Sequence, residues 1–288
     1  MITDIGSIKA SDGSILLKMW EVMIEPGDRP FRNHSHLRFE ISKVLSGSGV
    51  YMSGNKIYRI ERGSMLVFAG NEQHCARHID GVGLNMLNIQ FEPRYLWGKD
   101  SDSLSEQNIG LCFSHSDSFR NHIDGRSAAY LSDIMEKIRL EISLKPPEYP
   151  LAVKSYLNMM LISLIRDHGY SPATESVSKD KSKPVRDVIK YIDAHYPEQL
   201  ELQSLASAAG LSPNYFSALF YSVSGIHLWD YVNSRRIDAA IRLLADNELN
   251  ILDIAVKCGF NNTANFNKTF KKITGLTPTE YRHSDEYI

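Results

Sequence analysis

The sequence predicts an α+β protein, with an N-terminal β-barrel that carries a helical hairpin and an all-α C-terminal domain of two helix-turn-helix motifs joined by a long helix. Three observations predict this fold. Short apolar runs separated by turn residues fill positions 1–95, and apolar residues recur at helical spacing over 126–168. Glycines and phenylalanines then repeat in order within the last hundred residues. A length of 288 residues suits about two domains.

Composition places the chain among ordinary globular proteins. Hydrophobic residues make up 43% and charged residues 23%, close to the average for soluble domains. The cysteines Cys75, Cys112 and Cys258 have no paired spacing, which argues against a disulfide framework or zinc ribbon and suits a reducing cytosol. No signal peptide and no bilayer-length apolar run is visible. We therefore expect a cytoplasmic protein without a membrane partner.

The first 95 residues read as short strands. The runs "ISKVL", "GVYMSG", "IYRI" and "SMLVF" are separated by the turn signals "SGSG", "SGN" and "ERG". Short strands at this spacing are typical of a sandwich or barrel.

The next segment predicts two antiparallel helices. One apolar stripe precedes the break "KPPEYP", since tandem prolines cannot continue a helix. A second stripe follows, ending near Asp167. The two stripes are Leu131, Ile134, Met135, Ile138 and Ile142, then Val153, Tyr156, Leu157, Met160, Leu161 and Leu164. This hairpin either packs wholly against the barrel or contributes part of its surface to a dimer interface.

Residues 169–184 have the composition of a linker, rich in Ser, Lys and Pro and nearly free of large apolar side chains. They divide the chain into an N-terminal domain, residues 1–168, and a C-terminal domain, residues 185–288.

The C-terminal domain contains an internal repeat. Leu205, Ala206 and Gly210 recur as Ile254, Ala255 and Gly259, and Phe216, Phe220, Gly225 and Tyr231 recur as Phe266, Phe270, Gly275 and Tyr281. Each unit is a helix that ends at a glycine, a short turn and a second helix, which is the helix-turn-helix motif. The connecting helix of about 18 residues spans roughly 27 Å. It could hold two recognition helices in successive major grooves of DNA, about 34 Å apart.

Charge in this domain is balanced but uneven. Ten basic and ten acidic residues lie between 185 and 282, whereas 261–272 holds three lysines and no acid. The first recognition helix, 213–223, is uncharged, so we expect modest affinity from one domain, with dimerisation supplying the rest. The candidate DNA-contacting residues are Asn214, Tyr215, Ser217, Tyr221, Asn262, Thr263, Asn265, Asn267, Lys268, Lys271 and Lys272.

The stretch "HSHLRFE" is the most chemically suggestive segment of the N-terminal domain. In an extended strand alternate residues share a face, so four polar side chains point one way: His34, His36, Arg38 and Glu40. On the inward face of a small barrel they would line a ligand cavity.

Two family resemblances follow from these motifs. The C-terminal segments "LASAAGLSPNYFSALFYSVSG", "YVNSRRIDAAIRLL", "ILDIAVKCGF" and "ANFNKTFKKITGLTPTEYR" resemble the DNA-binding domain of the AraC/XylS family of transcription regulators. The spacing H-x-H-x₃-E-x₆-G, which ends at Gly47, resembles the first cupin motif, and "GSMLVFAGNEQH" partly resembles the second, with Ala69 and Asn71 in place of the usual proline and glycine.

The resemblance implies a cupin-like sensor domain fused to a DNA-binding domain. It predicts a transcriptional activator that responds to a sugar or sugar derivative, forms homodimers and contacts RNA polymerase. It implies no catalysis and no cofactor. The implied ligand-binding residues are His34, His36, Arg38, Glu40 and His74, with Trp20, Tyr51 and Tyr58 as stacking platforms. The alternative is a metal-binding cupin, as an enzyme or a metal sensor, with His34, His36, Glu40 and His74 as ligands.

Overall fold

The N-terminal domain is built on one antiparallel sheet. A computed structural model of the chain describes residues 2–10, 13, 15–28, 34–96, 113–171, 179–244 and 249–283. Within these ranges the strands are β1 Ile2–Lys9, β2 Ile15–Ile24, β3 Gly27–Asp28, β4 Phe39–Ser53, β5 Lys56–Glu61, β6 Met65–Phe68, β7 His74–Phe91 and β8 His122–Ile123. Their order is β1-β2-β7-β4-β6-β8, with β3 paired to β7 and β5 paired to β4. The predicted antiparallel β domain is confirmed, as a sheet that has β1 and β8 at its two ends.

The two long strands β4 and β7 bend the sheet. Their pairing shifts register three times between Val44 and Tyr51, and such bulges increase twist and curvature. Gly47 lies at one shift with φ 84°, where a Cβ would collide with the carbonyl oxygen of Gly83. Only glycine fits there. The bend turns one face of the sheet inward, and this face carries the candidate site.

Alternation along the strands separates an apolar face from a polar one. Phe39 and Ile41 of β4 are buried together with Ile89 of β7 in a core that the helical hairpin covers. Their neighbours Glu40 and Gln90 point to the opposite face, as period-2 alternation requires.

The hairpin forms as predicted. After a short helix α1 (Pro93–Leu96), α2 spans Ala129–Leu144 and α3 spans Tyr149–Asp167. Both predicted stripes are buried against the sheet, except that Tyr156 is only partly buried. The break between the helices places Lys145 and Glu148 in the left-handed region. The outer face of α3 leaves Leu151, Met159, Ile162 and Ile165 exposed.

The predicted linker is shorter than its composition suggests. Tyr170 is buried in the N-terminal core, and helix α4, Lys179–His195, begins inside the predicted linker range. Residues 172–178 lie outside the described part of the chain. The first residues of this helix are Lys, Asp, Ser and Pro, the residue types of a linker, so composition could not locate the start of the helix. The exact boundaries of the two domains stay a prediction.

The C-terminal domain contains the two predicted helix-turn-helix units. Its helices after α4 are α5 Leu202–Ala208, α6 Pro213–Ser224, α7 Leu228–Leu244, α8 Ile251–Lys257, α9 Thr263–Thr274 and α10 Pro278–Arg282. Helices α5 and α6 form the first unit and α8 and α9 the second, with α7 between them. Gly225 and Gly275 end the second helix of each unit with φ near 75°, at 73° and 78°, the left-handed conformation expected of a C-terminal glycine. No helix within the described ranges is long and apolar enough to cross a membrane.

The two domains pack against each other. Leu37 and Phe113 of the N-terminal part are buried in the same cluster as the apolar residues of α4, α6 and α7. The amide of Ser35 also donates a hydrogen bond of 2.8 Å to the carbonyl oxygen of Ile273 in α9. The segment "HSHLRFE" therefore touches the second helix-turn-helix unit directly.

Candidate functional site

A large cleft of about 1430 Å³ lies between the inner face of the sheet and the second helix-turn-helix unit. The sheet contributes one wall, and α7, α9 and α10 with adjoining residues contribute the other. The polar residues of the sheet-side wall are Lys18, Glu25, His34, Ser35, His36, Arg38, Glu40, Asn88 and Gln90. Those of the helical wall are Asp238, Arg242, Thr274, Glu280 and His283.

Three neighbouring strands align the polar groups of the sheet-side wall in rows. Gln90 of β7 stands opposite Lys18 of β2 on one side and opposite Glu40 of β4 on the other. Asn88 is paired in the same way with Trp20. Directly opposite side chains on one face lie about 5 Å apart, so each row presents adjacent hydrogen-bonding groups. Lys18, Asn88 and Gln90 were not predicted. Asn88 and Gln90 are the polar alternate positions of "LNIQF", which is the signal that could have found them.

Main-chain pairing brings together histidines that are distant in sequence. His34 and His74 form a bridge in which each amide donates to the other's carbonyl oxygen, over 3.3 and 3.0 Å. Their ring centroids lie 4.4 Å apart, and the His36 ring lies 5.3 Å from that of His74. The side chains of these three residues, here called the histidine cluster, place one ligand atom each within 4.8 Å of one another. The predicted grouping of His34, His36 and His74 is therefore present.

Glu40 is the buried acid of this site. Its Oε2 accepts a hydrogen bond of 2.7 Å from Gln90 and lies 2.9 Å from His36 Nε2, while its Oε1 accepts one of 2.9 Å from Ser42. Burial would raise the pKa of the Glu40 carboxyl, but the imidazoles of His36 and His74 outweigh it and hold that pKa well below its ordinary value. Glu40 is therefore ionised at neutral pH.

His74 is the most enclosed member of the cluster. Its ring stacks on Phe68 with centroids 4.1 Å apart, and its Nε2 lies 3.7 Å from Glu40 Oε2. Burial lowers the pKa of His74, but the Glu40 carboxylate prevails and raises it. His74 lies behind the cleft wall, whereas His34 and His36 reach the cleft surface.

Two of the three predicted aromatic platforms reach the cleft. Trp20 and Tyr51 line it, although both are buried. Tyr58 does not line it, so its prediction as a platform is not supported. Its ring packs in the apolar cluster that also holds Phe68, and its hydroxyl donates to Asn121 Oδ1 over 3.1 Å. Tyr58 lies on β5, which pairs with β4 on the side away from β7, whereas Tyr51 lies on β4 next to β7.

Several buried donors of the site have no hydrogen-bond partner among the described residues. They are Trp20 Nε1, Arg38 Nε and His74 Nε2. Unpaired polar atoms cost free energy when buried, and Trp20 and Arg38 lie on the cleft wall. The wall therefore offers donors that a bound molecule with acceptor groups would satisfy.

A buried ion cluster joins the domains beside the cleft. Arg235 of α7 places Nη1 3.2 Å from Glu92 Oε1, just after β7, and Nε 2.9 Å from Asp193 Oδ1 of α4. Asp238 lies at 4.0 Å. Burial would lower the pKa of the Arg235 guanidinium, but the carboxylates of Asp193 and Glu92 raise it well above its ordinary value. The only cross-domain member of these pairs is Glu92.

The predicted DNA-contacting residues lie on the second helix of each unit or at its start. Most are exposed, and Ser217 and Thr263 are partly exposed. Two have structural roles in addition. Asn262 caps α9 by accepting the amide of Asn265 over 2.8 Å, and Lys272 pairs with Asp230 over 3.2 Å. Asn267, Lys268 and Lys271 are exposed and form a basic and polar surface on α9. Their contact with DNA stays a prediction.

Comparison with known families matches both domains. Residues 24–139 match the family described as AraC-like ligand binding domain, and residues 205–284 match the helix-turn-helix domain family.

Curated relatives match parts or most of the chain. The regulatory protein PocR of Salmonella typhimurium is 33% identical over 130 residues, which cover 45% of this chain and 43% of that protein. The chain thus spans about half the length of the first relatives it matches. The arabinose operon regulatory protein of the same organism is 26% identical over 88% of this chain and 86% of its own length.

Solved structures share the two-domain architecture. ToxT from Vibrio cholerae superposes with a TM-score of 0.62 at 14% identity, covering 92% of this chain and 97% of ToxT. Another ToxT structure, with an unsaturated fatty acid bound, has a TM-score of 0.57. At this identity the likeness concerns the fold alone.

Proposed function

We propose that this chain, which belongs to the AraC family of transcription regulators, binds specific DNA in response to a small molecule held in the interdomain cleft. The observation that carries the proposal is the composition of the cleft, with one wall from the sheet and the other from the second helix-turn-helix unit. A molecule there contacts both domains. It shifts the balance between arrangements of the domains to the extent that it binds one arrangement better.

The favoured class of effector is a sugar or sugar derivative. Two rows of paired side chains offer both donors and acceptors, as a polyhydroxyl compound requires. One row contains Gln90 and Glu40, and the other contains Asn88 and Trp20. An aromatic ring beside amide and carboxylate groups suits a sugar face and its hydroxyls together. The relation to an arabinose operon regulator supports the same class.

A second class is favoured by the apolar residues of the cleft. Ile15, Val22, Ile24 and Met86 line it together with the cationic Lys18. An amphiphilic carboxylate would place its chain on the apolar residues and its charge near Lys18. ToxT, which has this fold, has been solved with an unsaturated fatty acid bound.

Further properties complete the proposal. Each chain would place α6 and α9 in successive major grooves, and two chains would associate through the exposed apolar face of α3. The regulator would act in the cytoplasm, as an activator that contacts RNA polymerase and catalyses no reaction. These last points rest on the family alone, and transcription in vitro with purified polymerase tests the sign of regulation.

The test uses the full chain and a DNA fragment selected by it from a random pool. Thermal unfolding and DNA affinity are measured with pentoses, hexoses, disaccharides and oleate. An effector at 100 times its dissociation constant adds about 2.7 kcal/mol to the stability. It should also change DNA affinity by roughly 5- to 150-fold.

Variants separate the two classes. Lys18→Met should remove most of the response to a carboxylate and little of the response to a neutral sugar. Lys9→Met, at an exposed position at the end of β1, is the matched control. If neither class stabilises the protein, the effector proposal fails, whereas DNA binding is measured separately and stands or falls by itself.

A further inference from the structure

We propose that residues 113–119, here called the clamp segment, hold the first helix-turn-helix unit against the N-terminal domain, and that protonation of His115 stabilises this contact. The clamp segment lies between α1 and β8 in the chain. None of its residues lines the interdomain cleft. The clamp segment is therefore separate from the effector site, and its role can be tested without effector or DNA.

The start of the clamp segment packs against the first helix-turn-helix unit. The Phe113 ring is buried and meets the Tyr231 ring of α7 edge to face, with centroids 5.8 Å apart. The Ser114 side chain lies against Gly225, the glycine that ends α6. A Cβ at position 225 would come within 2.0 Å of Ser114 Oγ. The close contact is therefore possible only because residue 225 is glycine.

The N-terminal domain thus contacts the same end of both recognition helices. Ser114 meets the end of α6 at Gly225. The Ser35 amide donates to the carbonyl oxygen of Ile273 over 2.8 Å, two residues before Gly275 at the end of α9. Gly225 and Gly275 are equivalent positions of the internal repeat. Because α7 joins the two units, these contacts hold the DNA-binding domain at two points.

His115 attaches the clamp segment to the turn that precedes β7. Its Nε2 lies 3.0 Å from Glu72 Oε2, and its Nδ1 lies 3.0 Å from the carbonyl oxygen of Ser116. Carboxylate and carbonyl oxygens only accept hydrogen bonds, so both ring nitrogens face acceptors. Since only the protonated imidazole carries a hydrogen on each nitrogen, the geometry fits the charged form of His115.

The neighbouring amide of Asn121 does not replace this proton. Asn121 Nδ2 lies 3.3 Å from His115 Nε2, but both of its hydrogens are engaged. It donates to the carbonyl oxygen of Val67 over 2.9 Å and to Glu72 Oε1 over 2.6 Å. A neutral His115 would therefore turn a ring lone pair towards the Glu72 carboxylate or the Ser116 carbonyl. Loss of the proton replaces an attraction by a repulsion.

Glu72 keeps its position and its charge while His115 titrates. Its Oε2 also accepts a hydrogen bond of 3.0 Å from the Ala69 amide, and its Oε1 accepts one from the Ser53 hydroxyl. Burial would raise the pKa of the Glu72 carboxyl, but the His115 imidazole outweighs burial and holds that pKa below its ordinary value. Glu72 is therefore ionised at neutral pH.

Other elements surround the His115 ring. Tyr170, beyond the end of α3, places its ring centroid 5.8 Å from that of His115. Lys56 of β5 donates to two carbonyl oxygens of the clamp segment, over 3.0 and 2.8 Å. Burial and the Lys56 ammonium both disfavour the charged form of His115, but the Glu72 carboxylate outweighs them and raises the pKa of His115 above its ordinary value.

The contact is strongest at low pH and weakens as the pH rises. A histidine whose pKa is higher in the closed arrangement than in the open one stabilises the closed arrangement fully below its ordinary pKa of about 6.5. This contribution is lost as the pH rises through the raised pKa. The arrangement of the domains, through which the proposed effector would act, is thereby sensitive to the proton concentration.

The experiment uses the full chain and compares the wild type with His115→Gln at pH 6 and at pH 8.5. Hydrogen exchange of the Ser35 amide reports separation of the domains, and comparison at equal pH cancels the intrinsic exchange rate. At pH 6 the variant should exchange about 5- to 10-fold faster, because a neutral amide replaces the hydrogen bond of an imidazolium. At pH 8.5 the difference should vanish or reverse.

Two further variants assign the contact. His122→Gln is the matched control, because His122 belongs to the same domain and its ring contacts Ser64 Oγ on a different segment. It should reproduce the wild-type exchange at both pH values. Ser114→Leu should raise the exchange of the Ser35 amide at both pH values, because a larger side chain collides with Gly225. This variant also tests the contact if His115→Gln does not fold.

Three outcomes would overturn the proposal. One is the same ratio of exchange rates between His115→Gln and the wild type at pH 6 and pH 8.5, which would mean that His115 only supports the fold. Another is a pKa of His115, measured by NMR titration of the wild type, at or below about 6.5. The third is unchanged Ser35 exchange in Ser114→Leu, which would place the clamp segment outside the contact between the domains.

Discussion

Replacement of Glu92 by glutamine should loosen the contact between the two domains without disturbing either one. Glu92 is 2% exposed and its Oε1 lies 3.2 Å from Arg235 Nη1, so solvent screens this pair little. The substitution keeps the shape of the side chain, but it removes the charge and replaces one acceptor oxygen with an amide group that only donates. Within the C-terminal domain, Arg235 keeps its pair with Asp193 at 2.9 Å.

The size of the effect follows from this geometry. When a buried charge loses its sole partner, the protein is destabilised by about 3–5 kcal/mol. Because Asp193 still compensates Arg235, the smaller value for a hydrogen bond to a charged group applies, about 1.5–3 kcal/mol. Since 1.4 kcal/mol is a factor of ten, the equilibrium should shift about 10- to 140-fold towards separated domains.

The assay is hydrogen exchange of the Ser35 amide, which donates to Ile273 across the domain boundary. When opening is fast and reversible, the exchange rate is proportional to the open population, so it should rise by the same factor. Glu136→Gln is the matched control, because Glu136 pairs with Lys43 and Arg139 inside the N-terminal domain. Equal Ser35 exchange in the wild type and both variants would refute the assignment of Glu92 as an interdomain contact.

Three further predictions concern the other surfaces. Lys271→Ala should reduce the salt dependence of DNA binding by about one unit of log–log slope, because an exposed lysine of α9 would meet a phosphate; Lys137→Ala, on the N-terminal domain, should leave the slope unchanged. Ile162→Asp should convert a dimer into a monomer in sedimentation velocity, and Val82→Asp, which is more exposed, should not; a monomeric wild type would contradict the proposed use of α3. Glu40→Gln should abolish the response to the effector while basal DNA affinity stays within about threefold of the wild type (about 0.6 kcal/mol), and parallel loss of both would mean that Glu40 supports the fold instead.

The elements of this protein were predictable where the physical signal is local. The stripe from Leu131 to Ile142 is a helix because burial repeats every three to four residues, and all its predicted members are buried. Gly225 and Gly275 end helices because glycine takes the left-handed conformation without steric cost. The shared face of His34, His36, Arg38 and Glu40 follows from the alternation of an extended chain, and the cupin-like spacing placed His74 beside them.

Tertiary structure decided what depends on register and on packing between domains. The alignment of Lys18, Gln90 and Glu40 exists only because β2, β7 and β4 are neighbours in one register, and a slip of one residue would turn each side chain to the opposite face. Tyr58 and Tyr51 are equally aromatic in sequence, but only Tyr51, on the strand next to β7, lines the cleft. Arg235 reads as an ordinary helical arginine, yet it is buried between domains by acids 42 or more positions away. Contacts between distant segments leave no periodic trace along the chain, so the sequence determined the elements and the donor set, and the fold alone determined the second wall of the cleft.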